Sequence, residues 1–245
     1  MGTLSPAELL TAWERCLPLS PVGRALALLE LAEPTLPAEA ISALPIGTRE
    51  RELLRLRVSV FGAEITGLVT CPACGETVEL AADANELIAV AETAPGGTDL
   101  TLDRDGYHVC FRLPTSEDLI ALSSTPPATD PERFLLGRCL RWAEHEGSPV
   151  AASELPDEII ELIGSAMNDH DPLADIQLAC ACPDCGQAWA APLDVPAFLW
   201  AELTDFAMRL LQDIHVLASG YGWREADILA LTPTRRRAYL DLVAG

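Results

Sequence analysis

Two short stretches decide how this chain folds: Cys71-Pro72-Ala73-Cys74-Gly75 and Cys182-Pro183-Asp184-Cys185-Gly186, both of the pattern C-P-x-C-G. Each lies between strand-like residues, EITGLVT and ETVEL around the first, QLACA and QAWAA around the second. Twelve residues after the first cysteine of each stands an aspartate, Asp83 or Asp194, and an apolar helical start follows at Leu87 or at Phe198-Leu199. A CPxCG knuckle is a tight turn in which glycine relieves steric strain and backbone N–H groups point at the thiolates. Two knuckles supply four sulfurs in the closed tetrahedral arrangement of structural Zn²⁺. The expected ligands of one zinc ion are therefore Cys71, Cys74, Cys182 and Cys185. Metal binding of this kind supplies folding free energy on the order of 10 kcal/mol. The half-units are separated by 107 residues (75–181), so the middle of the chain reads as an insertion in a zinc ribbon.

Other readings of the cysteines are weaker. Cys180 is a rival ligand, but aligning the repeats places it before the knuckle, on the strand. Thiol–disulfide enzymes use one CPxC motif at a helix N-terminus and do not need two matched copies. A catalytic zinc needs an open coordination position, and four cysteines fill the shell. Cys16, Cys110 and Cys139 read as core residues. Asp169-His170-Asp171, with Asp175 nearby, suggests a second metal site or, more simply, a solvated loop. No catalytic triad, phosphate loop or nucleotide fingerprint is visible, so no enzymatic activity is expected.

Composition narrows the function further. The chain has 245 residues, 49% hydrophobic and 22% charged, an ordinary globular balance. Its net charge of −21 comes from 37 acidic residues against 16 arginines, which argues against binding nucleic acid, since phosphate neutralisation needs clustered cations. Residues 86–175 alone hold 18 Asp/Glu against 5 Arg. That acidity serves solubility or a basic protein partner. No stretch approaches the ~20 apolar residues of a membrane span. The N-terminus lacks the basic and apolar regions of a signal peptide, so a cytoplasmic location is expected.

The expected fold class is α+β, mostly helical. It comprises N-terminal helices (1–62), a zinc ribbon in two halves (63–87 and 176–195), an acidic inserted α/β unit (88–175) and C-terminal helices (196–245). Ser5-Pro6 with Glu8, Ser20-Pro21 and Thr48 mark three N-terminal helix starts. In the insertion, TDLTLDRDGYHVCFRLPT is a hairpin turning at Asp105-Gly106, followed by three helices starting near Thr115, Asp130 and Pro156. A long amphipathic helix from about Pro196 to Ala218 and two short ones close the chain. Phe198, Trp200, Leu203 and Phe206 form a core stripe on the long helix. Arg235-Arg236-Arg237 is the one basic run. It faces an unfavourable helix dipole, so with Trp223 it is a candidate partner-binding element.

Three segments together resemble zinc-ribbon proteins of contractile phage tail and extracellular contractile injection system loci, related to phage baseplate hub assembly chaperones. They are the paired knuckles, FRLPTSEDLIAL and the ending GYGWREADILALTPTRRRAYLDLV. The second is similar to the opening of tail-assembly-chaperone-like domains through Arg112, Pro114, Thr115, Asp118 and Leu119. The third is similar to a Gly-Trp-x-x-x-acid-Ile terminal motif, here Gly222, Trp223, Asp227 and Ile228. The resemblance spans most of residues 45–245. It implies no catalytic residues and no small-molecule substrate. It implies protein partners in a tail-like particle or its baseplate, as a transient assembly factor or a minor structural part. A zinc-ribbon adaptor acting on the transcription machinery is the alternative.

Overall fold

The computed structural model describes residues 4–95, 97 and 99–244. Met1–Thr3, which open the N-terminal stretch without signal-peptide features, and Thr98, at the start of the expected hairpin, lie outside them. The fold is mixed α+β and predominantly helical.

Helices α1 (Pro6–Cys16) and α2 (Pro21–Ala32) start where their serines lie. Ser5 forms a capping box with Glu8, and the Ser20 hydroxyl accepts from Gly23 N–H at 3.2 Å. A short α3 (Ala38–Ser42), not foreseen in the sequence, leads into α4 (Ile46–Phe61). The expected start of α4 at Thr48 is corrected to Ile46. Its first turn is capped by Asp171, 124 residues away, whose carboxylate accepts from Gly47 N–H at 2.8 Å. No local pattern signals a cap of that range. The turn also buries Arg49 and Glu50, giving the helix a polar edge inside the fold.

Next come the antiparallel pair β1 (Glu64–Thr70) and β2 (Thr77–Asp83), then α5 (Ala84–Thr93), whose N-cap Asp83 accepts from Asn85 N–H. A four-stranded antiparallel sheet follows. Its strands β3 (Leu100–Arg104) and β4 (Tyr107–Phe111) form the expected hairpin, with Asp105 and Gly106 both at positive φ in the turn. Helices α6 (Ser116–Ser123) and α7 (Pro131–Cys139) follow. Before α8 (Asp157–His170), the chain makes strands β5 (Leu140–His145) and β6 (Ser148–Pro149), where the sequence pattern predicts only helices. Their turn uses Glu146-Gly147, again at positive φ, and glutamate is a weak sequence signal for that conformation.

The second cysteine hairpin is β7 (Gln177–Ala181) with β8 (Ala188–Pro192), followed by the 27-residue helix α9 (Val195–Tyr221), capped by Asp194. The chain closes with α10 (Glu225–Leu229) and α11 (Pro233–Ala244). Each half of the repeat is thus a hairpin, a capping aspartate and a helix.

Three apolar clusters hold these elements. The first joins α1, α2, α4, Ile65 of β1, Ile176 and the first turns of α9, including Leu199 and Leu203. Phe198, Trp200 and Phe206 pack against it, so the stripe on α9 is core. The second lies between one face of the four-stranded sheet (Val109, Phe111, Ala143) and α8 (Ile159, Ile160, Ile163). The third packs α10 and α11 on the far half of α9 through Leu210, Leu217 and Ile228. No helix is long and apolar enough to cross a membrane among the described residues.

Candidate metal centre

The two cysteine turns have the same backbone. In each, the glycine N–H donates to the carbonyl of the first cysteine at 3.0 Å. The first cysteine's N–H donates at 2.8 Å to the carbonyl of the residue after the glycine, Glu76 or Gln187. Gly75 and Gly186 lie at φ +78° and +74°, a region side chains other than glycine enter at a cost, which explains the fifth residue of each motif.

The turns face one another. Cys71 Sγ is 3.7 Å from Cys185 Sγ, Cys74 Sγ is 3.6 Å from Cys182 Sγ, and all four sulfurs lie within 4.8 Å of each other. Thiolates about 2.3 Å from a shared tetrahedral ion stand about 3.8 Å apart. Disulfide sulfurs are only about 2.05 Å apart. The spacing and the donor set therefore fit a metal held by four sulfurs. The first cysteine of each pair is buried and the second exposed.

Electrostatics within the cluster also points to a cation. Burial raises the Cys71 thiol, but the backbone N–H groups of Cys74 and Ala73, with the Cys74 and Cys185 thiols, outweigh it and bring Cys71 down to about 7. At Cys74 the Glu76 N–H favours the thiolate, yet the neighbouring thiols of Cys182 and Cys185 push it up to about 12. Four thiolates this close repel strongly, and a bound cation removes that repulsion. Among the described residues, no other set of His, Cys, Asp or Glu side chains converges in this way. Cys180 lies on β7 opposite Trp189 with its thiol toward the Leu178 carbonyl, apart from the cluster.

Arg57 ties together the segments that carry the two hairpins, at the ends away from the cysteines, and nothing in the sequence singles it out. Buried on α4, it donates to the Gly62 and Glu64 carbonyls at 2.7 and 2.6 Å, fixing the entry to β1. It also binds both Glu202 oxygens at 2.8 Å, fixing α9 after the second hairpin.

The remaining candidates lie elsewhere. Asp169-His170-Asp171 is not a solvated loop throughout: Asp171 is buried as the cap of α4, and His170 Nδ1 lies 2.8 Å from the Ala166 carbonyl. In the basic run, Arg236 turns inward to Asp213 of α9 at 3.1 Å, whereas Arg235 and Arg237 are exposed. Trp223 stacks on Tyr221 and meets Tyr239 edge-on, clasping α11 to the end of α9.

A polar seam joins the segment leading into α6 to α4. Arg49 pairs with Glu50 and donates to Ser116 Oγ at 2.9 Å, while Ile46 N–H donates to the Pro114 carbonyl at 3.0 Å. Asp118, fully buried, accepts from Arg112, Arg138 and Thr115 N–H. Burial works against its charge, but these donors hold it well below the usual carboxylate range. The residues singled out around Arg112–Leu119 thus form a structural joint.

No curated protein and no solved structure matches the chain. The family model described as T4 bacteriophage base plate protein matches residues 24–199, from α2 through both cysteine hairpins to the first turns of α9. That match covers 176 of the 245 residues, and on that extent the chain belongs to the T4 bacteriophage base plate protein family.

Proposed function

We propose that this protein is a non-catalytic assembly or structural factor of a contractile, phage-tail-like baseplate, of the kind found in injection systems, stapled by one structural zinc ion in a ribbon of two CPxCG knuckles. The observation that carries the reading is the four-sulfur cluster lying inside the segment that matches the baseplate family. Zinc suits the site because it favours tetrahedral thiolate coordination and has no redox chemistry of its own. Four sulfurs leave no position for substrate, which supports a structural role over a catalytic one. The partners are then protein components of the particle, met in the cytoplasm where tails are built. The acidity of the chain disfavours nucleic acid.

The test is expression of the tagged chain from its own locus, with metal counted in the purified sample. The expected result is one zinc per chain and co-purified sheath, tube or baseplate proteins. Zinc-loaded protein carrying RNA polymerase and no tail component would transfer the reading to a transcription adaptor.

A further inference from the structure

The inner face of the four-stranded sheet is covered by α8, but its outer face is bare. Register places Thr101, Cys110 and Trp142 in one row of that face, and Asp103, His108, Glu144 and Pro149 in the next. All of these are exposed except Cys110, which lies between its row neighbours. Trp142 is 49% exposed and joins none of the three apolar clusters. The other four tryptophans are at least partly buried, so this is the one exposed tryptophan among the described residues, and the other exposed aromatic, Tyr221, is stacked on Trp223. An exposed tryptophan on a solvated sheet face is the residue type that most often anchors a protein interface.

Carboxylates outnumber cations around it. Asp103 and Glu144 flank the ring's row, and the two turns at the same end of the sheet add Asp105 and Glu146. Arg104 pairs with Asp105 at 3.2 Å and Arg141 with Asp99 at 3.0 Å, and the His108 ring faces Asp103, which leaves Glu144 and Glu146 as carboxylates with no ion-pair partner among the described residues. The whole segment 86–175 carries 18 acids against 5 arginines, although some of these acids, such as the buried Asp118 and Asp171, lie in the joint to α4 and not on this face. An exposed indole with a surplus of carboxylates on one side is complementary to a cation, and most of all to arginine, whose planar guanidinium stacks on indole while pairing with carboxylate. We propose that the outer face of β3–β6, centred on Trp142, docks a basic, arginine-presenting surface of a protein partner. This deepens the baseplate reading and rests on its claim that the chain acts by binding protein.

The test uses the full zinc-loaded chain and a synthetic nine-residue peptide alternating arginine and glycine, with a glutamate–glycine peptide as its counterpart. Amide and indole NMR shifts map the contact, and titration at low salt measures affinity. The arginine peptide should shift the Trp142 indole and the residues of β3–β5. W142A or the double reversal D103R/E144R should weaken it at least fivefold, whereas reversing the distant acids Glu14 and Glu39 to arginine should change it less than twofold. Shifts that map to another surface, or equal affinity across all variants, would overturn the proposal. So would a dimer of the chain that dissociates on W142A or on R235E, since it would give the face to a second copy. Co-purification separates the two readings. Baseplate proteins retained equally by wild type and D103R/E144R would remove the docking face and leave the baseplate role standing. Their absence from the wild-type sample, with the peptide result intact, would do the reverse.

Discussion

The side chains that matter most here are the ones whose neighbours come from far along the chain. C71S and C185S should each release the metal, measured as zinc per chain after gel filtration, whereas C16S should keep it, since Cys16 is buried between helices. Zinc retained at one per chain in C71S would remove the four-sulfur site. Glu50 supplies a second test. Burial raises its carboxyl from 4.5 to about 7, against the attraction of Arg49, with Asp194 and Asp171 adding repulsion, and one of its oxygens has no partner. Between those values the folded chain holds a proton that the unfolded chain has released. Its contribution to stability is therefore complete below pH 4.5 and is lost as pH rises through 7, about 3 kcal/mol at ~1.36 per pH unit. Urea unfolding of wild type and E50Q at pH 5, 6.5 and 8 should show E50Q gaining on wild type as pH rises; parallel curves would refute it. The four cysteines were legible because their spacing is itself the signal. Glu50, Arg57 and Asp171 were not, because a buried charge in a helix or loop looks the same in sequence as a solvated one until its partner is known.

Elements were legible where their caps are local. Ser5, Ser20, Thr115, Asp130 and Asp194 all begin helices as their sequence patterns indicate, each through a side chain within four residues of the bond it makes. The start of α4 differs from its sequence pattern because its cap is Asp171, and β5–β6 carries no clear sequence signal because Glu146-Gly147 is not a usual turn pair. The α4 joint admits little change. A methyl group on Gly47 would stand 2.2 Å from Asp171 Oδ1 and 3.0 Å from Ala174 N. G47A should destabilise the fold by about 2 kcal/mol, in the range of overpacked sites, with a matching drop in urea midpoint. D118A removes the acceptor shared by Arg112, Arg138 and the first turn of α6. It should lower stability by about 2–3 kcal/mol and speed amide exchange in α6 and α7 before the rest of the chain. Uniform acceleration across the molecule would mean that the joint is not local.

On the scale of the whole molecule, the repeat made the architecture readable. Two matched half-units separated by a long segment imply that their ends meet, and the paired hairpins do so. What the pattern could not convey is how the segment between the hairpins is fastened, since Ile46–Pro114, Arg49–Ser116 and Gly47–Asp171 are bonds between segments with no shared motif. Chelation should therefore act locally first. A strong chelator at neutral pH should loosen β1–β2 and β7–β8 in amide exchange, while the cluster between α8 and the sheet stays protected; simultaneous loss of both would show a single cooperative unit. The sulfur pairs also set an order in time. Cys71 and Cys185 are 114 positions apart and Cys74 and Cys182 are 108. On a ribosome adding about 5–20 residues per second, the first knuckle emerges roughly 5–20 s before its partner exists. During that interval the first two thiols are available to any other metal or oxidant, and the sheet with α8 can be completed before the site closes. The last cysteines to be made therefore act as a clasp, drawn shut only after the segment they enclose has been synthesised.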